Sequence, residues 1–456
     1  MTFGRPSRAL AAVAVAALAL TACSTLQNAN PFKSKSAQSH ASPGERISLL
    51  ELNDQLKVAD ALRGQDFLLP PPQPIADWPL PGGTPEQSVE NVAAAQDFAV
   101  AWRTRFGKGG DRRFFVTATP VAAEGKVFVM DGEADVSAHD ARTGAQLWRV
   151  NVMPKSKRDR EAFGGGVAYA AGKLYVSSGF RLVAQLDAAT GRIIWEARTD
   201  APLHSAPTVG DGRVYVVDVD DQLLTFNADT GAPDWTYQAL TEPARILAAS
   251  SPALTSDTVV ASFASGELVA LRADNGTELW NQSLSRASRN NALSEIRDIA
   301  GRPVIYKGDV FAVSHSDVMA ATDLRTGSLR WQLPISATTA PWAAGDVVYV
   351  IDLTGRAICI SRDSGQIYWI HNLNPDDSKG KKKKKKKGER VYWSTPILAS
   401  GRLVTVSSHG DAVALNAKTG AEERSLKLGS DALIGPIAAG SMLYVATDKA
   451  ELVAIR

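Results

Sequence analysis

The sequence predicts an all-β fold: an eight-bladed β-propeller of four-stranded antiparallel blades, with the last blade closed by the N-terminal strand. Three observations predict it. A turn pair recurs seven times, as Thr143-Gly144, Thr190-Gly191, Thr230-Gly231, Asn275-Gly276, Thr326-Gly327, Ser364-Gly365 and Thr419-Gly420. Four residues after six of these glycines comes a tryptophan: Trp148, Trp195, Trp235, Trp280, Trp331 and Trp369; the seventh copy has Arg424. The glycines are 47, 40, 45, 51, 38 and 55 residues apart, a period that belongs to repeat architectures built blade by blade.

Each copy repeats a hairpin grammar. A residue of the Asp/Asn/Ser type opens most turns (Asp140, Asp187, Asn227, Asp323, Ser361, Asn416; Arg272 is the exception). Such side chains bond the backbone two residues on and start a turn, and the glycine then supplies positive φ without a steric penalty. The tryptophan falls on the outgoing strand, where one large flat side chain per repeat implies one repeated packing slot. Upstream of each turn, a Pro or Gly opens a short apolar strand, and a second strand of the Val-Tyr-Val type follows, as at Val214, Tyr215, Val216 and at Val348, Tyr349, Val350. Four short strands per copy make a propeller blade.

The count of eight comes from the ends. After Gly420 one half-repeat remains, with Pro436, Gly440, Leu443, Tyr444 and Val445, and it stops where its turn would stand. Its missing outer strand would leave an open edge. Residues 98–106 fit the gap: they contain Trp102, which precedes Trp148 by 46 residues.

Taken in order, residues 1–22 read as a lipoprotein signal peptide. Arg5 and Arg8 give a charged start, and residues 9–20 an apolar run too short to span a bilayer. The run ends in Leu20, Thr21, Ala22, Cys23, which resembles the bacterial lipobox; the resemblance implies lipidation (palmitate) at Cys23. Ser24 at the next position points, by the sorting rule of such lipoproteins, to the outer membrane. Residues 23–45 form the lipidated cysteine and a flexible Ser/Asn/Lys-rich tether, and residues 46–77 an extended lead-in with Pro70, Pro71, Pro72 and Pro74. The propeller takes residues 78–456.

Composition is that of a globular protein. The net charge of +2 conceals a lysine run, Lys379 and residues 381–387, without which the chain is net acidic; the run reads as a solvated loop, and nothing points to nucleic acid. The second cysteine, Cys359, sits in an apolar strand and reads as a small buried residue. None of the six histidines (His40, His139, His204, His315, His371, His409) has a His or Cys partner at metal-ligand spacing. Gly164, Gly165 and Gly166 lead into a strand, so they make no phosphate cradle. No catalytic, metal or cofactor residue is assigned.

Connections between blades are the more informative places. Three long ones run over residues 151–164, 238–251 and 281–302, and a fourth holds the lysines; each joins an outer strand to the next inner strand, so all emerge on one face. The second and third carry Arg245, Ile246, Leu247 and Arg297, Asp298, Ile299. Apolar side chains beside charges on such loops suit a protein contact. The alternative is that Ile246 and Ile299 tuck under their own loops.

The Asp-Ala-x-Thr-Gly-x-x-x-Trp repeats resemble those of pyrroloquinoline-quinone-type propellers. Together with the lipobox, the tether and the lead-in with Trp78, Pro79, Pro81, Gly82 and Gly83, the whole chain resembles the BamB family of outer-membrane assembly lipoproteins. The resemblance implies a non-enzymatic scaffold subunit of the Bam complex without cofactor. It implies a chain lipid-anchored at the periplasmic face of the outer membrane, binding the periplasmic domains of BamA and assisting insertion of β-barrel proteins. Such a chain either positions the BamA domains or offers blade edges to unfolded β-barrel clients by strand addition, and the sequence does not choose between the two. It implies BamA contacts at Arg245, Ile246, Leu247, Arg297 and Asp298. The family's Asp-x-Asp is matched by Asp298 but not by Ala300, and the order in the other loop departs from the family's. Two other readings stay open: a quinone- and calcium-dependent dehydrogenase-like propeller, and a ligand-sensing periplasmic lipoprotein.

Overall fold

In the computed structural model the described residues are 56–110, 115–153, 164–242, 250–285, 296–374 and 390–456. Residues 1–55, with Cys23 and the tether, lie outside them, as do Arg245, Ile246, Leu247 and the lysine run.

Eight four-stranded antiparallel sheets follow one another in chain order. Strands within a blade are lettered a to d from the ring axis outward. Blade 1 is Val121–Ala123, Lys126–Met130, Asp135–Asp140 and Gln146–Asn151. Blades 2 to 7 occupy residues 165–198, 208–238, 253–283, 304–333, 342–372 and 397–427. Blade 8 takes strands a to c from Ile437–Ala439, Met442–Ala446 and Glu451–Ile455, and its strand d is Val100–Arg105. The closing register pairs Trp102 with Ala454 and Arg105 with Glu451. Beyond it Ala99 and Arg456 exchange backbone bonds. The expected eight-blade ring and its N-terminal closure are the observed ones.

Strands a to c are largely buried on both faces, which is why they read as continuous apolar runs, while strand d alternates (Gln146–Asn151, Ile193–Arg198). No blade buries its faces alone. Phe128 and Val136 of blade 1 join Leu174 and Leu186 of blade 2 in one core cluster, and Ala253 and Trp280 of blade 4 join Val310 and Ala320 of blade 5 in another.

The turn glycine and the tryptophan turn out to be partners across blades. Each repeat Trp lies over the turn glycine of the following blade: Trp102 on Gly144, Trp148 on Gly191, and so on to Trp369 on Gly420. A Cβ at any of the seven glycines would come within 3 Å of that ring, and every one has φ of 69–76°. So Gly is required twice over, for conformation and for room. From Trp148 to Trp369 the indole N–H also donates to the next blade's turn carbonyl at 2.7–3.2 Å. Within its own blade the ring packs on a strand b aromatic, as Trp148 on Phe128 and Trp369 on Tyr349. Trp280, Trp331 and Trp369 are buried; the other four are half-buried. Arg424 now has a reason. The next blade is the closing one, whose strands c and d are joined by no turn, so there is no glycine for a tryptophan to cover.

Candidate functional site

The ring has two unlike faces. The a–b and c–d turns lie on one, here the turn face; the b–c turns and the connections between blades lie on the other, the loop face.

On the turn face the D/N/S residue works as the sequence implies. Asp140 Oδ1 accepts from the backbone N–H of Arg142 and Thr143 and from the Thr143 hydroxyl; Asp187, Asn227 and Asp323 repeat the pattern with Thr190, Thr230 and Thr326. The Thr143 hydrogen bonds hold the Asp140 carboxyl below its usual range, and Thr190 does the same for Asp187.

This face is also crossed by residues 68–95. Trp78 exchanges backbone bonds with Ala122 of blade 1, and Pro79 accepts from Tyr169 of blade 2. Gln87 Nε2 reaches Thr208 of blade 3 and Pro252 beside blade 4. Pro85 and Glu86 accept from Leu254 and Ile305 of blades 4 and 5, and Trp342 of blade 6 donates to the Glu90 carbonyl. Val92 pairs with blade 7, and Ala95 donates to Ser441 of blade 8. A segment bonded at the inner strand or a–b turn of all eight blades crosses the ring axis and closes that end. Trp78 is 1% exposed and stacks near-parallel on Trp342 at 6.2 Å. This strap was not legible in the sequence: the Pro-rich lead-in gives no pattern, because its partners are mostly backbone atoms.

Among the described residues no segment crosses the loop face. Its b–c turns open with a residue whose side chain caps the turn. Asp131 Oδ1 accepts from Glu133 and Asp135, Asp218 Oδ1 from Asp220 and Gln222, and Asp352 Oδ1 from Thr354 and Arg356. The acceptor's spacing of two and four residues was the signal that sequence reasoning passed over. Here burial dominates: it pushes Asp218 and Asp448 up to about 6, and raises Asp131 as well. Lys108 pairs with Glu133 at 2.6 Å, and Arg149 lies 3.6 Å from Asp131. Large apolar side chains stand exposed nearby: Leu240 (70%), Tyr392 and Leu433 (both 47%). The last two border a cleft of about 270 Å³ with Trp393 and Asp352.

Of the expected contact residues, Arg297 and Asp298 are described. Arg297 is exposed, Asp298 buried, and Ile299 is 1% exposed. The segment is seated on two b–c turns: Ile299 N donates to Phe263 O of blade 4, and His315 N of blade 5 donates to Asp298 O. Ile299 enters the core with Trp280 and Val318, so it tucks under its own loop. Arg245, Ile246 and Leu247 fall outside the described residues. Cys359 is fully buried against Tyr349, and burial pushes its thiol well up, as expected of a packing residue. His139 is buried between Ser137 Oγ and Gly144 O, and burial lowers its pKa. Among the described residues no three His, Cys, Asp or Glu stand together as a metal site.

The family model for "Outer membrane protein assembly factor BamB" matches residues 132–371 and 376–456. The model for the β-propeller domain of glucose/ethanol/alcohol dehydrogenases matches residues 88–173. A relative of that first name from Moranella endobia is 25% identical over 401 residues, 86% of this chain and 97% of its own. Among solved structures, BamB from Moraxella catarrhalis aligns with a TM-score of 0.60 at 17% identity, over 78% of this chain and 97% of that one. A europium-containing methanol dehydrogenase aligns with a TM-score of 0.65 at 14% identity, over 82% and 89%. These two structural likenesses establish a shared ring of blades.

Proposed function

Because the chain belongs to the family of outer membrane protein assembly factor BamB, we propose that it is a non-enzymatic scaffold subunit of the β-barrel assembly (Bam) complex at the outer membrane. In this reading a lipid on Cys23 tethers it at the periplasmic face, and its loop face binds the periplasmic domains of BamA. The observation that carries the reading is the asymmetry of the ring. The turn face is taken up by the chain's own strap. Among the described residues no segment crosses the loop face, which presents Leu240, Tyr392, Leu433 and Arg297 on connections held by rigid blades. Exposed apolar anchors next to charges, on loops that a scaffold fixes, suit a protein partner.

The ring's work is positional: it holds the domains of BamA in one arrangement and carries out no bond chemistry. Unfolded β-barrel clients are a second set of partners, through strand addition at blade edges. Strand d presents exposed Leu147, Ile194 and Leu279 along the rim, which favours that contact.

Copurification of BamA from detergent-solubilised membranes tests the main contact. Wild type retains BamA, and an Arg297→Glu/Leu247→Asp double variant loses most of it while keeping its fold by circular dichroism. Full retention by the folded variant would place the contact elsewhere.

A further inference from the structure

Seven of the eight inner strands are opened by a proline, and the residue before it stands at the loop-face foot of the strand nearest the axis. That residue is Thr119, Ala206, Ser251, Ala340, Thr395 or Gly435 in six blades, and Arg302 in blade 5. Crowding explains the small residues. A Cβ on the adjoining Gly301 would meet the Thr339 carbonyl of blade 6, and Ala340 N already bonds Thr395 Oγ1 of blade 7. A guanidinium here is an exception that packing does not demand.

Arg302 is half-buried, and it lacks what a cation drawn away from solvent needs. Its Nε is buried with no hydrogen-bond partner among the described residues. Burial alone lowers its pKa to about 10, so it stays charged at neutral pH. A buried donor left without a partner is costly, whereas an apolar or small residue at the same place would carry no such donor. The strap closes the axis from the turn face, so any partner for this group arrives from the loop face.

We propose that Arg302 anchors a binding site for a small oxyanion of the carboxylate or phosphate type, entered from the loop face. The guanidinium supplies the planar fork that takes two oxygens of one anion, and Nε is the donor left waiting for one of them. Arg302 ends the connection that carries Arg297, and the site holds whether or not the BamA assignment does.

Inorganic phosphate and acetate are the probes, with chloride at matched ionic strength and pH as the control. For wild type, the apparent unfolding constant falls about elevenfold when either probe reaches ten times its Kd, and the response saturates. Arg302→Gln abolishes the response. The Nε–Hε proton–nitrogen signal of Arg302, read on wild type, shifts saturably with the same midpoint, so the proposal stays testable even where Arg302→Gln fails to fold. An equal response of Arg302→Gln and wild type would overturn it. So would an Arg302 signal unmoved by both probes, or moved as much by chloride.

Discussion

The two faces of the ring use the same residue type for opposite ends. Aspartates on the turn face (Asp140, Asp187, Asp323) are half-buried, capped by threonine and held acidic. Aspartates on the loop face (Asp131 and Asp218, buried, and Asp448, half-buried) are pushed up by desolvation. One face is finished: its turns are capped and its axis is strapped. The other keeps buried charge and exposed hydrophobic groups that intramolecular packing has not resolved.

Breaking the strap has the largest expected effect. Trp78→Ala removes a fully buried indole from between blade 1 and Trp342, and costs about 3–5 kcal/mol of stability in urea unfolding. BamA binding by the protein that remains folded is unchanged, because the change lies on the far face.

The second test is pH dependence. Asp218 has a folded pKa of about 6 against 3.8 unfolded. The folded state therefore binds more protons between those values. Its contribution is fully present below the unfolded pKa and is lost as pH rises through about 6. Asp218→Asn keeps the Oδ1 acceptor for Asp220 and Gln222 and removes the charge. Stability measured at pH 4 and pH 7 differs less in the variant than in wild type, by up to about 3 kcal/mol. The capped turn-face aspartates act with the other sign: their contribution is lost as pH falls through their lowered pKa values. A smaller loss of stability in acid for Asp218→Asn than for wild type would show that Asp218 belongs with them.

The smallest expected stability effect is on the exposed loop-face anchors. Leu240→Asp changes stability by no more than about 0.5 kcal/mol. It still reduces BamA copurification, which sets it apart from Trp78→Ala.

The ring could be read from the sequence because its signal is covalently local. Thr143, Gly144 and Trp148 lie within six residues, and their spacing recurs. What Gly144 and Trp148 do could not be read. Each pairs with a different blade, Gly144 with Trp102 and Trp148 with Gly191. The same blindness left Arg424 without a reason until the closing blade was seen to have no turn there. The strap was hidden because its partners are mostly main-chain atoms, which carry no side-chain pattern. On the loop face, the Arg297-Asp298-Ile299 stretch looked like a mixed surface segment. Only Arg297 is exposed, and Ile299 is core. Arg302, four residues after Asp298, was overlooked because its meaning lies in comparison with Thr119, Ala206, Ser251, Ala340, Thr395 and Gly435.

The central claim is that partners meet the loop face and not the strapped one. A photo-crosslinking amino acid placed in cells at Arg297, Leu240 or Leu433, and in parallel at Leu68 on the turn face, tests it most directly. The account predicts BamA adducts from the three loop-face positions and none from Leu68. BamA adducts from Leu68, with none from the other three, would contradict it.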